Sequence, residues 1–277
     1  MKLFFYRNKL GSWLQEQQEH QQLAFIPTMG ALHEGHLSLI AEAKQQGCLA
    51  LASIFVNPRQ FNNPEDLRRY PRTLDRDIRL LEQAACDAVF IPEADQVYDP
   101  HSQIPPVALG FLAERFEGSF RPGHFQGVTD VLWSLFHTIR PRDVFFGEKD
   151  FQQCMVVKKL IDTHFPDIHM HIIPTRREAD GLAMSSRNSR LSEAGRINAP
   201  AIYRALQEIC HQKHKTPLPE LLRQARSYLL QHQIETEYLE LAVPETLDTL
   251  EQWPETPAVL LFAGYLEGVR LIDNLRC

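Results

Sequence analysis

The stretch Leu23-Ala24-Phe25-Ile26-Pro27-Thr28-Met29-Gly30-Ala31-Leu32-His33-Glu34-Gly35-His36 begins as an unbroken apolar run and then changes character. Pro27 is expected to stop the run as a strand, and Gly30 to let the backbone approach a ligand closely. Downstream, Leu37, Leu39, Ile40 and Ala43 recur at helical spacing. A strand, a turn carrying Gly and two His, and then a helix make a seat for a nucleotide phosphate. The N–H groups at a helix start carry partial positive charge and settle an anion there. Two neutral imidazoles add donors with little fixed charge, which suits bonds that tighten as phosphate charge builds up in a transition state. A metal reading is weaker: His-Glu-Gly-His falls one residue short of H-E-x-x-H, and zinc needs a third ligand not evident nearby.

Working outward, short β-rich runs at 23–26, 49–56, 88–91, 143–146 and 168–173 alternate with helical patterns at about 35–46, 73–85, 127–140 and 150–163. Near-continuous apolar strands alternating with helices imply a parallel sheet covered on both faces, an α/β, Rossmann-like architecture. Ligands of such sheets sit beyond the carboxyl ends of the strands. The informative motifs fall there: His33 and His36 after the first run, Asn57 to Gln60 after the second, Gly147 to Asp150 after the fourth. After Pro174 two helical patterns, roughly 192–212 and 218–232, precede alternating runs at 234–243 and 258–265. Glu267-Gly268 is placed to turn the last run back into 269–272 as a hairpin. The expected organisation is therefore an α/β domain over 1–175 and a smaller C-terminal α+β domain over 176–277.

The 277 residues suffice for one large or two ordinary domains, and 44% apolar with 23% charged residues is a globular composition. A net charge of −6 argues against a nucleic-acid partner, which usually meets a basic face. Five cysteines, odd in number and without C-x-x-C spacing, fit a reducing compartment and argue against a disulfide framework or a Cys-based zinc site. No stretch is apolar enough for a signal peptide or membrane span, so a cytoplasmic location is expected.

Four further segments carry polar groups at informative places. Asn57-Pro58-Arg59-Gln60 closes the second run and reads also as an ordinary Asn-Pro turn. Thr73-Leu74-Asp75-Arg76-Asp77 reads as a helix start with Thr73 as N-cap. Phe116 to Phe125 joins no clear pair of regular elements, as a substrate-covering loop or a dimer contact would. Met184-Ser185-Ser186-Arg187 follows Asp180-Gly181 at the domain boundary and reads either as a polar linker or as a phosphate loop.

Taken together, these motifs resemble the nucleotidylyltransferase superfamily and, in the longer wording Pro-Thr-Met-Gly-Ala-Leu-His-Glu-Gly-His, the pantoate–β-alanine ligase family. The resemblance implies ATP-dependent condensation of pantoate with β-alanine through a pantoyl adenylate, releasing AMP and pyrophosphate. It implies ATP contacts from Met29, Gly30, Ala31, Leu32, His33, Glu34, Gly35, His36, Gly147, Glu148, Lys149, Asp150, Arg176, Met184, Ser185, Ser186 and Arg187. His33, His36 and Lys149 would be the catalytic groups, with His36 as the proton donor. Gln60 would bond both pantoate and β-alanine, Gln153 would bind pantoate, and Asp77 would stand near Mg2+. A homodimer is also implied. Arg59 and Arg176 depart from the family, which often has Met or Thr at the first and Val at the second. Two other readings stay open on the residues alone. One is a nucleotidylyltransferase that stops at nucleotide transfer; the other is a non-catalytic nucleotide-binding protein. A tRNA-charging enzyme would need an RNA-binding domain that the acidic C-terminal third does not supply.

Overall fold

The computed structural model describes residues 1–17, 22–99, 103–213 and 215–277. His214, in the polar stretch expected at 211–219, lies outside them. The chain divides into two units, Met1–Pro174 and Thr175–Cys277. The first carries, in order, β1 (Lys2–Phe4), α1 (Arg7–Gln17), β2 (Leu23–Thr28), α2 (Glu34–Gln45), β3 (Leu49–Ile54), α3 (Pro64–Arg68), α4 (Leu74–Gln83), β4 (Ala88–Phe90) and α5 (Ala94–Val97). It continues with α6 (Phe111–Glu114), α7 (Glu117–Phe120), α8 (His124–Ile139), β5 (Asp143–Gly147), α9 (Phe151–His164) and β6 (His169–Ile173). All six strands are parallel, in the order β1-β4-β3-β2-β5-β6. Every residue of β3 is buried, and Ala24, Phe25 and Ile26 of β2 have no exposure, as strands covered on both faces require.

The sheet changes direction at β2. From there the chain builds outward through β3 and β4 on one side and through β5 and β6 on the other, making this a topological switch point. β3 pairs β2 along its whole length, from Leu23↔Leu49 to Thr28↔Ile54. β5 pairs it only at Ala24↔Asp143 and Phe25↔Val144. That early parting corrects the expectation for Pro27. The strand runs through it to Thr28, because no ladder to β5 is left there that would need its missing N–H.

β1, α1, α3, α5 and α6 are absent from the sequence reading. β1 is a three-residue edge strand registered on β4, Lys2↔Ala88 to Phe4↔Phe90, and α1 buries only Leu10, Trp13 and Leu14. The segment expected to be irregular, 116–125, is instead α7 followed by the start of α8. Gly123, left-handed at φ 80°, is the N-cap that lets α8 begin at His124, three residues ahead of the expected start.

The second unit holds α10 (Glu193–Asn198), α11 (Ala201–His211), α12 (Leu218–Gln231) and the antiparallel sheet β7 (Glu235–Ala242), β8 (Val259–Leu266), β9 (Val269–Arg276) in that order. The single helix expected over 192–212 is two, divided at Ala199-Pro200. Glu267 and Gly268 both take positive φ, 53° and 72°, the pairing of a two-residue hairpin turn. Leu229, Leu239, Leu241 and Leu260 are fully buried in its core. Against the sequence expectation, Cys210 and Cys277 form a disulfide across 67 residues, with Cα atoms 5.6 Å apart. The fold brings the end of α11 beside the residue following β9, a proximity that counting cysteines cannot reveal. Cys48, Cys86 and Cys154 are buried thiols. Among the described residues no helix is long and apolar enough to cross a membrane.

Candidate active site

The turn after β2 is shaped by polar contacts with two other segments. Thr28 Oγ1 donates to Ser53 C=O at 2.6 Å and accepts from Gly30 N–H at 3.2 Å. Gly30 has φ 77°, and a Cβ there would stand 3.0 Å from both Asp77 Oδ2 and Ile54 Cγ2. Ala31 also has positive φ, 49°, which a residue with a Cβ adopts only when its surroundings impose it. Asp77 imposes it. Its Oδ2 accepts from Ala31 N–H at 2.9 Å, and its Oδ1 accepts from Leu32 N–H at 2.8 Å and from Thr73 Oγ1 at 3.1 Å.

Two expectations change at this point. Thr73 occupies the N-cap position of α4 but makes no side-chain cap bond, because its hydroxyl serves Asp77 instead. Asp77, at 1% exposure, spends both oxygens on this loop and does not fit as a magnesium ligand. Among the described residues no cluster of three or more His, Cys, Asp or Glu could hold a metal ion.

Leu32 leads directly into the two histidines. His33 is the N-cap of α2, its Nδ1 accepting from Gly35 N–H at 3.2 Å. His36 reaches back so that its Nδ1 accepts from His33 N–H at 3.4 Å, a capping box built from two imidazoles. Their ring centroids are 4.1 Å apart. A backbone N–H can only donate, so each Nδ1 is the unprotonated nitrogen and each neutral ring carries its proton on Nε2. Burial, then the neighbouring His36, Lys149 and Arg76, push the His33 pKa down to about 2. Burial pushes His36 down to about 4, with Asp150 opposing and Lys149 assisting. Both rings are therefore neutral donors near neutral pH.

Lys149 stands in the 3-10 turn Glu148–Asp150 that follows β5, the strand beside β2. Its ammonium is 3.9 Å from Asp150 Oδ1. The Met29–His36 loop and the Gly147–Asp150 turn thus share one end of the sheet, with a fixed cation beside two uncharged donors. Arg76 was not anticipated as a neighbour of this cluster. It sits in the first turn of α4, next to Asp77, where helical periodicity gives no hint of the loop packed against it.

Gln60 is buried in the 3-10 turn Pro58–Gln60 that follows β3. His124 Nδ1 donates to its backbone carbonyl at 2.7 Å, while His124 Nε2 accepts from Arg121 Nη1 at 3.1 Å. Burial holds His124 neutral, its pKa near 3. Gln60 Nε2 is 3.1 Å from Met29 Sδ, which joins this turn to the histidine loop. Helix α8 presses on the same turn at Gly127, where a Cβ would fall 2.3 Å from Arg59 C=O and 2.6 Å from Gln60 N. Arg59 lies against Tyr98, its guanidinium carbon 3.7 Å from the ring centroid, and pairs with Asp130 at 3.4 Å. Gln153 is half-buried in the first turn of α9. Its neighbour Gln152, missed at the sequence level, ties down α6 and α7. It accepts from Glu117 N–H at 3.0 Å and donates to the carbonyls of Leu112 and Arg115 at 2.8 and 2.9 Å.

The remaining expected residues belong to the second unit and are described within it. Arg176 is exposed, and its carbonyl accepts from Met184 N–H at 3.0 Å, closing a small hairpin around Gly181 at φ 94°. Arg177 anchors that hairpin to β9 by a bidentate pair with Asp273 at 2.7 and 2.9 Å. It also stacks on Tyr203, 3.7 Å from the ring centroid. Ser185 then caps the 3-10 turn Ser186–Arg190, its Oγ accepting from Arg187 N–H at 3.3 Å. Met184 to Arg187 is therefore an anchored turn rather than a loose linker. The adjacent Arg176-Arg177 pair was the available signal for that anchor.

Comparison with known proteins places this geometry in context. The family model described as pantoate-beta-alanine ligase matches residues 3–276. A pantothenate synthetase of Cytophaga hutchinsonii is 43% identical over 266 residues, covering 94% of this chain and 93% of its own. One of Cereibacter sphaeroides is 46% identical over 258 residues, covering 92% and 91%. Among solved structures, a pantothenate synthetase from Thermus thermophilus superposes with a TM-score of 0.92 at 38% identity, covering 99% of both chains. A pantoate-beta-alanine ligase from Francisella tularensis, solved with beta-gamma ATP and beta-alanine, superposes with a TM-score of 0.82 at 34% identity, covering 99% and 97%.

Proposed function

The chain belongs to the pantoate–β-alanine ligase family and carries out the ATP-dependent joining of pantoate to β-alanine through an amide bond; from that premise we propose which of its residues do so. In the first step a pantoate carboxylate oxygen attacks the α-phosphorus of ATP. The bond to the bridging oxygen breaks, giving pantoyl adenylate and pyrophosphate. In the second, the amine of β-alanine attacks the adenylate carbonyl, AMP departs with the carboxylate oxygen it received, and the amine loses a proton. ATP is taken as its magnesium complex, the cation travelling with the phosphates.

His33 and His36 would donate from Nε2 to the phosphate oxygens, and Lys149 would neutralise the departing pyrophosphate. Glu34, Gly35, Gly147, Glu148 and Asp150 frame that end of the sheet, with the start of α2 adding its partial positive charge. Gln60 would bond pantoate and β-alanine, and Gln153 pantoate. Ser185, Ser186 and Arg187 would hold the β- and γ-phosphates, with Met184 a further ATP contact and Arg176 contributing through its backbone. The observation that carries the assignment is the pair of imidazoles whose Nδ1 atoms are both occupied by backbone N–H groups. They are neutral, fixed in tautomer and ready to donate. A homodimer is part of this reading, from the family resemblance. So is a cytoplasmic setting, which the need for ATP favours and the Cys210–Cys277 pair does not.

Pantoate labelled with 18O in its carboxylate, incubated with Mg-ATP and β-alanine, should deliver one labelled oxygen to AMP. Pyrophosphate should appear in a single turnover without β-alanine and in steady turnover with it. Unlabelled AMP would exclude the acyl-adenylate route. His36→Ala and Lys149→Ala should each bind ATP yet lose turnover, and full activity in either would remove that residue from the site.

A further inference from the structure

Gln60 is held so that only one end of its amide can meet a substrate, and the cause lies two side chains away. Asn57 is buried, and both ends of its own amide are fixed by backbone groups whose roles cannot reverse. Its Oδ1 accepts from Arg59 N–H at 3.1 Å, and its Nδ2 donates to Gly127 C=O at 2.9 Å. Tyr98 OH, 2.8 Å from the same Oδ1, must therefore donate to it. The second Nδ2 proton of Asn57 goes to Gln60 Oε1 at 3.1 Å. The carbonyl end of Gln60 is thereby occupied, and its Nε2 is turned the other way, toward Met29 Sδ.

Burial, partly offset by Arg59, raises the Tyr98 pKa well above its ordinary value, so the phenol keeps its proton throughout the working range. Arg59 covers one face of the Tyr98 ring, and Phe55 meets the ring at 6.3 Å in an edge contact.

We propose that Tyr98 and Asn57 form a positioning relay that fixes the sense of the Gln60 amide, so that Gln60 turns its N–H donors, and not its carbonyl, to the acid. Each link passes a donor forward: Tyr98 to Asn57, Asn57 to Gln60, Gln60 to the substrate. A carboxylate or hydroxyl oxygen is recognised by such an end. The primary amide of the same acid keeps one acceptor oxygen but replaces the other with an NH2, so it offers such donors fewer partners and should bind worse. Arg59, at which this chain departs from the family pattern, belongs to the relay as the group that holds the Tyr98 ring. The inference rests on the reading of Gln60 as an acid-binding residue.

Steady-state kinetics on three proteins test it, with pantoamide as a competitive probe. Tyr98→Phe keeps the ring against Phe55 and under Arg59 and deletes only the hydroxyl. It should raise KM for pantoate about threefold to tenfold and leave KM for ATP unchanged. Asn57→Asp cannot donate to Gln60, which must then turn its amide over. Pantoate KM should rise by about a hundredfold or more while pantoamide inhibits better relative to pantoate than in the wild type.

A Tyr98→Phe protein whose pantoate KM stays within about twofold of wild type overturns the relay. So does one whose ATP KM rises in step, which marks a general structural role. Asn57→Asp with an unchanged pantoate-to-pantoamide preference also overturns it. If Asn57→Asp does not fold, Tyr98→Phe decides alone. A wild-type protein that forms no pantothenate refutes the underlying reading instead, and that result is seen before any variant is made.

Discussion

Replacing Asp77 by Ala isolates the force that shapes the nucleotide loop. The side chain lies at 1% exposure and accepts from two backbone N–H groups, those of Ala31 and Leu32, at 2.9 and 2.8 Å. Its removal takes this buried acceptor from both amides, at about 1–3 kcal/mol each. The positive φ of Ala31, 49°, then loses the carboxylate that braces it, and relaxing it moves the chain two residues before His33. The expected loss of stability is about 2–6 kcal/mol, a large part of the roughly 5–15 kcal/mol that a domain possesses.

Asp77→Asn retains one acceptor oxygen but turns an NH2 toward the other amide, and should lose about half as much. Hydrogen exchange read at the Ala31 and Leu32 amides is the sharpest assay, with urea unfolding and turnover beside it. Both amides should exchange faster by at least about tenfold in the Ala variant. Unchanged exchange at both, with stability within about 1 kcal/mol of wild type, would refute the bracing role. If exchange were unchanged but Asp77→Asn needed much more Mg2+ for activity, the side chain would be a metal ligand after all.

Two further outcomes follow from groups already described. His33, His36 and His124 have folded pKa values pushed below the ordinary 6.5, to about 2, 4 and 3. The unfolded chain therefore binds protons first as pH falls. Their stabilising contribution is complete above pH 6.5 and erodes as pH falls toward 4, by up to about 1.4 kcal/mol per pH unit for each ring. Denaturation at pH 7.5 and 5.5 should show that slope, reduced by about a third in His124→Gln, and equal stability at the two pH values would contradict it. For the disulfide, Cys210→Ser should destabilise the second unit by about 2–4 kcal/mol, followed by Trp253 fluorescence, and dithiothreitol should bring the wild type to the same point. Titration of five thiols rather than three in denatured, unreduced protein would show the pair to be open.

What the sequence revealed, and what it hid, divides by the range of the interactions involved. β2, β3 and β5 were legible because a strand buried on both faces must be apolar throughout. β1 was not, since an edge strand with Lys2 and Leu3 exposed carries no such run. The start of α8 was hidden because His124, Phe125 and Gly127 follow no helical periodicity. Gly127 is there for the close approach of the Asn57–Gln60 turn. The histidine pair was legible as a motif, yet the capping box that fixes its tautomers needed coordinates. Asp77 looked like an ordinary first-turn acid. Its partners lie 45 and 46 residues earlier, beyond the reach of any local pattern. Arg59 stood out only as a departure from the family, and its partner Tyr98 lies 39 positions on.

The strand order has a temporal meaning as well. A chain leaves the ribosome from its N-terminus, but β1 finds its only neighbour in β4, and the inner edge of β2 waits for β5, whose first residue is 143. No two consecutive strands before β4 except β2 and β3 can pair as they emerge. Parallel strands also need a long crossover before they can meet. Until β4 emerges the first unit can therefore hold only the β2–β3 pair, and from Phe90 to Asp143 a four-stranded sheet with β2 as an open edge, the kind of state in which chains associate wrongly. The same addition of β5 that covers the open edge of β2 brings the Gly147–Asp150 turn to the histidine loop. The seat formed by these two loops thus cannot exist before β5 is paired, and the chain assembles it only as the exposed edge of β2 is covered.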